Sequence, residues 1–140
     1  MLYRYTDKDI DLLGRLIRAE AIGEGKDGML KVGNVVTNRI VSNCLDFKDL
    51  RNLNDVVYQR NAFAATESPK FTSRATTIEK ELAKKALRGH RLWPASNALW
   101  FYAPSGSSEC RATWFNQQLA GRYKGHCFYR PDPGVCSELS

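Results

Sequence analysis

The segment Arg18-Ala19-Glu20-Ala21-Ile22-Gly23-Glu24-Gly25 constrains this chain more than any other. Upstream of it, Thr6 is placed to cap a helix, with Asp9 three residues later in the acid position of a capping box. Ile10, Leu13, Ile17 and Ala21 then recur at helical spacing, which predicts an amphipathic helix over Thr6–Glu24 with one buried face. At about 100° per residue, Glu20 and Glu24 fall on the flank of that face, one turn apart. Gly23 and Gly25 mark where the helix is expected to end and where a backbone or ligand can approach closely. A carboxyl at the border of core and solvent loses part of its hydration. That favours the protonated form, the state a general acid needs near neutral pH. On spacing alone, two solvated glutamates, one paired with Arg18 or Lys26, account for the same pattern.

A chain of 140 residues supports one domain with a real core, here residues 1–140. No apolar run approaches the ~20 residues of a membrane span, so none is expected. Met1 to Asp7 carry no apolar segment and no small-residue cleavage site, so a secretory signal is not expected either. The net charge of +6, from 21 basic against 15 acidic residues, suits a polyanionic partner such as nucleic acid, a teichoic-acid-bearing wall or peptidoglycan. The basic residues are scattered, from Arg51 and Arg60 through Lys80, Lys84 and Lys85 to Arg122 and Arg130, and no nucleic-acid motif accompanies them. No nucleic-acid partner is therefore expected. Among the 4 cysteines no pair has the C-x-x-C spacing of a zinc site or thiol enzyme, and only His90 and His126 supplement them. In an oxidising compartment a disulfide such as Cys110–Cys127 or Cys127–Cys136 is open to the chain; connectivity is not readable from sequence.

Further along, Met29, Val32, Val35, Val36 and Ile40 predict a second, extensively buried helix over Met29 to Ser42. Gly33 within it signals close packing, and Asn38 and Arg39 read as satisfied core or rim polars. Leu53 to Gln59 reads as a short helical turn capped by Asn54, followed by a polar connection, Arg60 to Phe63. A third helix, capped by Thr72 or Ser73 and carrying Ala75, Ile78, Leu82, Ala83 and Ala86, runs until Gly89. The last third is aromatic. Ala98 to Tyr102 and Cys127 to Tyr129 read as two short antiparallel strands, and Ala112 to Gln117 as a turn or short helix. Helices beside a small hairpin give an α+β domain. Most of the aromatics are core; a minority can line a groove where sugar rings stack. A helical acid facing an aromatic hairpin is the arrangement of lysozyme-like folds.

Several motifs, taken in order, carry a resemblance over nearly the whole chain. They are Arg18-Ala19-Glu20-Ala21 with Gly23-Glu24-Gly25, Gly28-Met29-Leu30, Val32-Gly33-Asn34-Val35 with Asn38-Arg39, and Val57-Tyr58-Gln59 with Ala62-Phe63. Trp93-Pro94, Leu99-Trp100-Phe101-Tyr102, Trp114-Phe115-Asn116 and His126-Cys127-Phe128-Tyr129 complete the set. Together they resemble the SleB/CwlJ family of cell-wall hydrolases of spore-forming bacteria, in its short, single-domain branch. The resemblance implies a lysozyme-like, lytic-transglycosylase-like domain acting on spore cortex peptidoglycan during germination, with Glu20 as the catalytic acid. Glu24 matches the second acid, which orients the groove or helps to bind a cation. Gln59, Phe63, Tyr102 and His126 match positions assigned to the substrate groove; as a sequence feature alone, His126 beside an aromatic strand also reads as a packed core histidine.

The resemblance further implies synthesis in the mother cell without a signal peptide, a site at the boundary of spore coat and cortex, and a coat partner protein that localises the enzyme there. No cofactor is required by the sequence. Calcium is implied as an activator, although no loop of EF-hand type is visible. A single glutamate suffices for a lytic transglycosylase, whereas hydrolysis needs a second carboxylate, about 5–5.5 Å away for retention or about 6.5–9.5 Å for inversion. Glu24, Asp27, Asp46 and Asp55 are the candidates for that second acid. The competing reading keeps the fold without catalysis, as a coat-localised cortex-binding or scaffolding module.

Overall fold

The structure, a computed structural model, describes residues 3–60, 62–106 and 108–139; Asn61, within the polar connection, lies outside the described residues. Among the described residues, five helices and one four-stranded antiparallel sheet make an α+β fold. Helix α1, Asp7–Ala21, starts at the expected capping box: the Asp9 N–H donates to the Thr6 hydroxyl at 3.2 Å and the Thr6 N–H to the Asp9 carboxylate at 3.0 Å. Ile10, Leu13, Ile17 and Ala21 are buried, joined by Leu12 and Leu16. The helix stops at Ala21 rather than continuing to Glu24, because Ile22–Glu24 tighten into a 3₁₀ turn. Helix α2, Gly25–Ser42, then begins at the glycine expected only to end the first, four residues ahead of Met29.

Helix α2 is buried along nearly its whole length, as its run of Val and Ile residues requires. Gly33 is where α5, Thr77–Leu87, comes closest: a Cβ there would sit 3.0 Å from the Ala86 methyl. The amides of α2 hold the loop ahead of the sheet. Asn34 donates to the His90 carbonyl and accepts the Leu92 N–H at 2.9 Å; Asn38 donates to the carbonyls of Ala95 and Ala98 at 3.1 and 2.9 Å. A loop pressed against an apolar helix needs such partners for its peptide groups.

The remaining helices correct the expected caps. Helix α3, Leu53–Val57, is capped by Asn52, whose side chain accepts the Asp55 N–H at 2.9 Å, and not by Asn54. Helix α5 is capped by Thr76 in a capping box with Glu79. Thr72 instead closes a short helix α4, Pro69–Thr72, which Ser68 caps with Pro69 in the first turn. Ile78, counted toward the core face, is 49% exposed.

The sheet has the order β1-β4-β3-β2, with β1 Trp100–Tyr102, β2 Thr113–Trp114, β3 Gln117–Tyr123 and β4 His126–Arg130. Where a two-stranded hairpin was expected, residues 112–117 supply a further one. Its tight turn places Phe115 and Asn116 at φ 49° and 67°, the left-handed pair of a hairpin turn that matches strand twist. Phe128 and the half-buried Phe101 join the sheet to Val35, Ala95 and Ala98. Two disulfides close the structure: Cys110–Cys127, and Cys44–Cys136 in place of the Cys127–Cys136 alternative. Among the described residues no helix is long and apolar enough to cross a membrane.

Candidate active site

Four separate parts of the chain meet around Glu20. It stands in the last turn of α1, at the edge of a cleft of about 230 Å³. Arg39 reaches the cleft from α2, Ala62 to Ala65 form one wall, and β1 contributes Phe101 and Tyr102. His126, at the start of β4, closes it. Burial raises the Glu20 carboxyl above the ordinary carboxylate range, opposed by the positive charge of His126, the Ala65 N–H and the charge of Arg39. Such a group holds its proton to higher pH than an ordinary carboxyl and has an imidazole and a guanidinium close by.

Arg39 is the buried cation. Its Nε donates to the Leu99 carbonyl at 2.8 Å, and its guanidinium lies 4.8 Å from the Phe47 ring and 4.9 Å from the Phe63 ring. Burial pulls it down to about 10, so it remains charged at neutral pH beside Glu20. The sequence pattern reads it as a satisfied core or rim polar residue; an arginine directly before Ile40 in a helix expected to be extensively buried is itself the signal, since a buried charge demands a partner.

Glu24 lies behind His126 and does not line the cleft. Its Oε1 is 2.6 Å from His126 Nδ1, and its Oε2 accepts the Gly125 N–H at 2.7 Å. With Nδ1 engaged, Nε2 is the nitrogen left for the cleft. The imidazole also packs edge-on against Phe101, with ring centroids 5.3 Å apart.

The other expected groove residues divide. Phe63 lines the Glu20 cleft and also an adjoining hollow of about 380 Å³. Gln59 belongs to that hollow alone, with its amide donating to the Asp46 carbonyl at 3.1 Å. Tyr102 lines the cleft and also a third cavity. Its hydroxyl is held below the usual tyrosine range, first by the Tyr129 hydroxyl and then by the Arg111 N–H. Of the carboxylates considered as a second acid, none of Glu24, Asp27, Asp46 and Asp55 reaches the cleft, and Glu20 is the one carboxylate lining it among the described residues. Nor, among those residues, do three or more His, Cys, Asp or Glu side chains gather as a metal site.

Residues 23–129 match the Cell Wall Hydrolase family. The chain belongs to that family. It is 47% identical over 136 residues to the cell wall hydrolase CwlJ of Bacillus subtilis (strain 168), covering 97% of this chain and 94% of that one. To the CwlJ of Oceanobacillus iheyensis it is 44% identical over 137 residues, covering 97% and 96%. The catalytic domain of the germination-specific lytic transglycosylase SleB from Bacillus anthracis shares the fold, with a TM-score of 0.71 at 19% identity over 90% of this chain and 97% of that one. The expected α+β architecture is thus common to this cell wall hydrolase and the SleB domain.

Proposed function

We propose that this protein cleaves the glycan strands of spore cortex peptidoglycan during germination as a lytic transglycosylase, with Glu20 as its acid and base. The observation that carries this reading is a desolvated carboxyl that is the one carboxylate lining its cleft among the described residues. A double-displacement or inverting hydrolase needs a second acid facing the scissile bond from the same cleft. A transglycosylase needs one group used twice. Neutral Glu20 gives its proton to the glycosidic oxygen as the C–O bond breaks and the leaving sugar departs as an alcohol. The resulting carboxylate takes the proton of the muramic C6 hydroxyl, whose oxygen bonds to C1 and closes a 1,6-anhydro ring. Water is not consumed, and Glu20 ends protonated as it began.

The neighbours fit these two roles. Burial favours the protonated form of Glu20 for the first step, and Arg39 and His126 steady the carboxylate between the steps. Phe63, Phe101 and Tyr102 offer ring faces and edges to a sugar. Glu24 acts through His126, fixing which imidazole nitrogen meets the cleft.

Purified wild-type protein and its Glu20→Gln variant, incubated with isolated cortex, test the reading by mass analysis of released muropeptides. Anhydro-muropeptides from the wild type and none from the variant are expected. Reducing ends without anhydro products would replace transglycosylase by hydrolase. Undiminished release by the variant would remove Glu20 from the chemistry, and no release by either would leave the cortex-binding scaffold. On the family resemblance we also assign the protein to the coat–cortex boundary, held by a coat partner, with calcium as an activator.

A further inference from the structure

Past Tyr102 and Ala103 the cleft adjoins a cavity of about 460 Å³ that also takes in Glu109, Arg111 and Trp114. The loop forming it is fastened at several points. Cys110 is bonded to Cys127 of β4, and the Tyr129 hydroxyl donates to the Arg111 carbonyl at 2.8 Å. The Arg111 N–H donates to the Tyr102 hydroxyl at 3.3 Å, and Arg122 Nη1 to the Ser108 carbonyl at 2.7 Å. Yet the side chains of Glu109 and Arg111 make no hydrogen bond or ion pair with another described residue. Beside them the half-buried Trp114 ring packs 4.9 Å from Tyr102 and 5.5 Å from Tyr129. A backbone held at Cys110 and at the N–H and carbonyl of Arg111, presenting a guanidinium with no partner among the described residues next to an aromatic wall, is preorganised for a flat ligand bearing an anion.

We propose that this cavity is a subsite for the neighbouring sugar of the strand being cut, with Trp114 and Tyr102 packing its ring and Arg111 holding a carboxylate that it carries. The inference rests on the glycan-cleaving reading and adds to it a recognised substituent. In a glycan of N-acetylated sugars that carboxylate is the lactyl group of a muramic unit or the end of an attached peptide. Glu109, on the same loop, accepts from an amide or hydroxyl of that unit and opposes a second anion. The subsite also makes the disulfide functional: Cys127 follows His126 directly, so one cross-link ties the Arg111 loop to the strand that completes the Glu20 cleft.

Binding to the Glu20→Gln protein separates this from catalysis. The probes are a tetrasaccharide alternating N-acetylglucosamine with N-acetylmuramic acid, the same chain carrying its peptides, and chitotetraose, which has no carboxylate. Adding Arg111→Ala is expected to weaken the carboxylate-bearing probes about tenfold and chitotetraose less than about twofold. Arg111→Lys should restore part of the loss, and Trp114→Ala should weaken all the probes. A loss confined to the peptide-free chain identifies the lactyl carboxylate, which becomes an amide once a peptide is attached. A loss confined to the peptide-bearing chain identifies the peptide's own carboxylate, and a loss with both shows that Arg111 holds either anion; each supports the subsite. If the Glu20→Gln parent binds the probes and Arg111→Ala changes nothing, the subsite is wrong and the glycan-cleaving reading stands. If the parent binds none of them and the wild type cleaves none, both fall together.

Discussion

Glu24 grips His126 from the side away from the cleft: Oε1 lies 2.6 Å from Nδ1, while Oε2 takes the Gly125 N–H at 2.7 Å. Glu24→Gln presents an NH₂ group to one of those two partners and lets the imidazole turn. The expected result is a kcat lower by on the order of tenfold, with KM little changed. Gly28→Ala tests the same contact from below, because its new methyl would sit 2.4 Å from Glu24 Cβ and 3.2 Å from Oε1. Wild-type kcat in both variants would show that the imidazole needs no such anchor.

The Glu20 carboxyl titrates above the ordinary carboxylate range because burial disfavours its charge. The folded chain therefore holds this proton more tightly than the unfolded chain, and stability falls as pH rises from the unfolded value through the folded one. Below the ordinary carboxylate range Glu20→Gln and wild type should melt together; at neutral pH the variant should melt higher. In the enzyme, the alkaline limb of kcat/KM should lie above that same range, since the acid must be protonated. A variant that melts lower at neutral pH would contradict the burial argument.

The disulfides should separate stability from activity. Cys44–Cys136 spans 92 residues and Cys110–Cys127 spans 17. On loop-closure entropy alone they contribute about 4.5 and about 3 kcal/mol respectively. Denaturant titration of the paired Cys→Ala variants should show the larger loss for the first pair. Kinetics on soluble glycan should show the larger rise in KM for the second. The opposite ordering in both measurements would break the link drawn between Cys127 and the cleft.

Arg18 should matter to folding rather than to the chemistry. Its buried guanidinium pairs with Glu79 at 2.9 Å and donates to the carbonyls of Lys70, Ser73 and Arg74. Arg18→Met leaves a buried carboxylate and several carbonyls without their donor, which should cost about 3–5 kcal/mol. Urea unfolding of the variant checks the figure; a loss below about 1 kcal/mol would mean that water or a neighbour replaces the guanidinium.

Local signals made the helical half legible. The Thr6–Asp9 capping box, the Ile10–Leu13–Ile17–Ala21 face and the close approach at Gly33 are read within a few residues and appear as expected. Where two candidates compete locally the pattern misleads, as between Asn52 and Asn54 or between Thr76 and Thr72; which one caps depends on where the tertiary fold bends the chain. The second hairpin went unseen because Phe115-Asn116 lacks the usual glycine of a left-handed turn pair. Glu20 was placed by its helix and its family resemblance. The partnership of Glu24 with His126, and the arrival of Arg39 at the cleft, are long-range events that leave no periodic trace.

The Glu24–His126 contact joins residues 102 positions apart, and Cys127 follows immediately. A ribosome thus releases nearly the whole helical half before the imidazole exists to meet its anchor. A chain cut short ahead of β4 would carry Glu20 yet lack the wall that aims it, so a prematurely terminated product should be harmless to glycan in the cell that makes it.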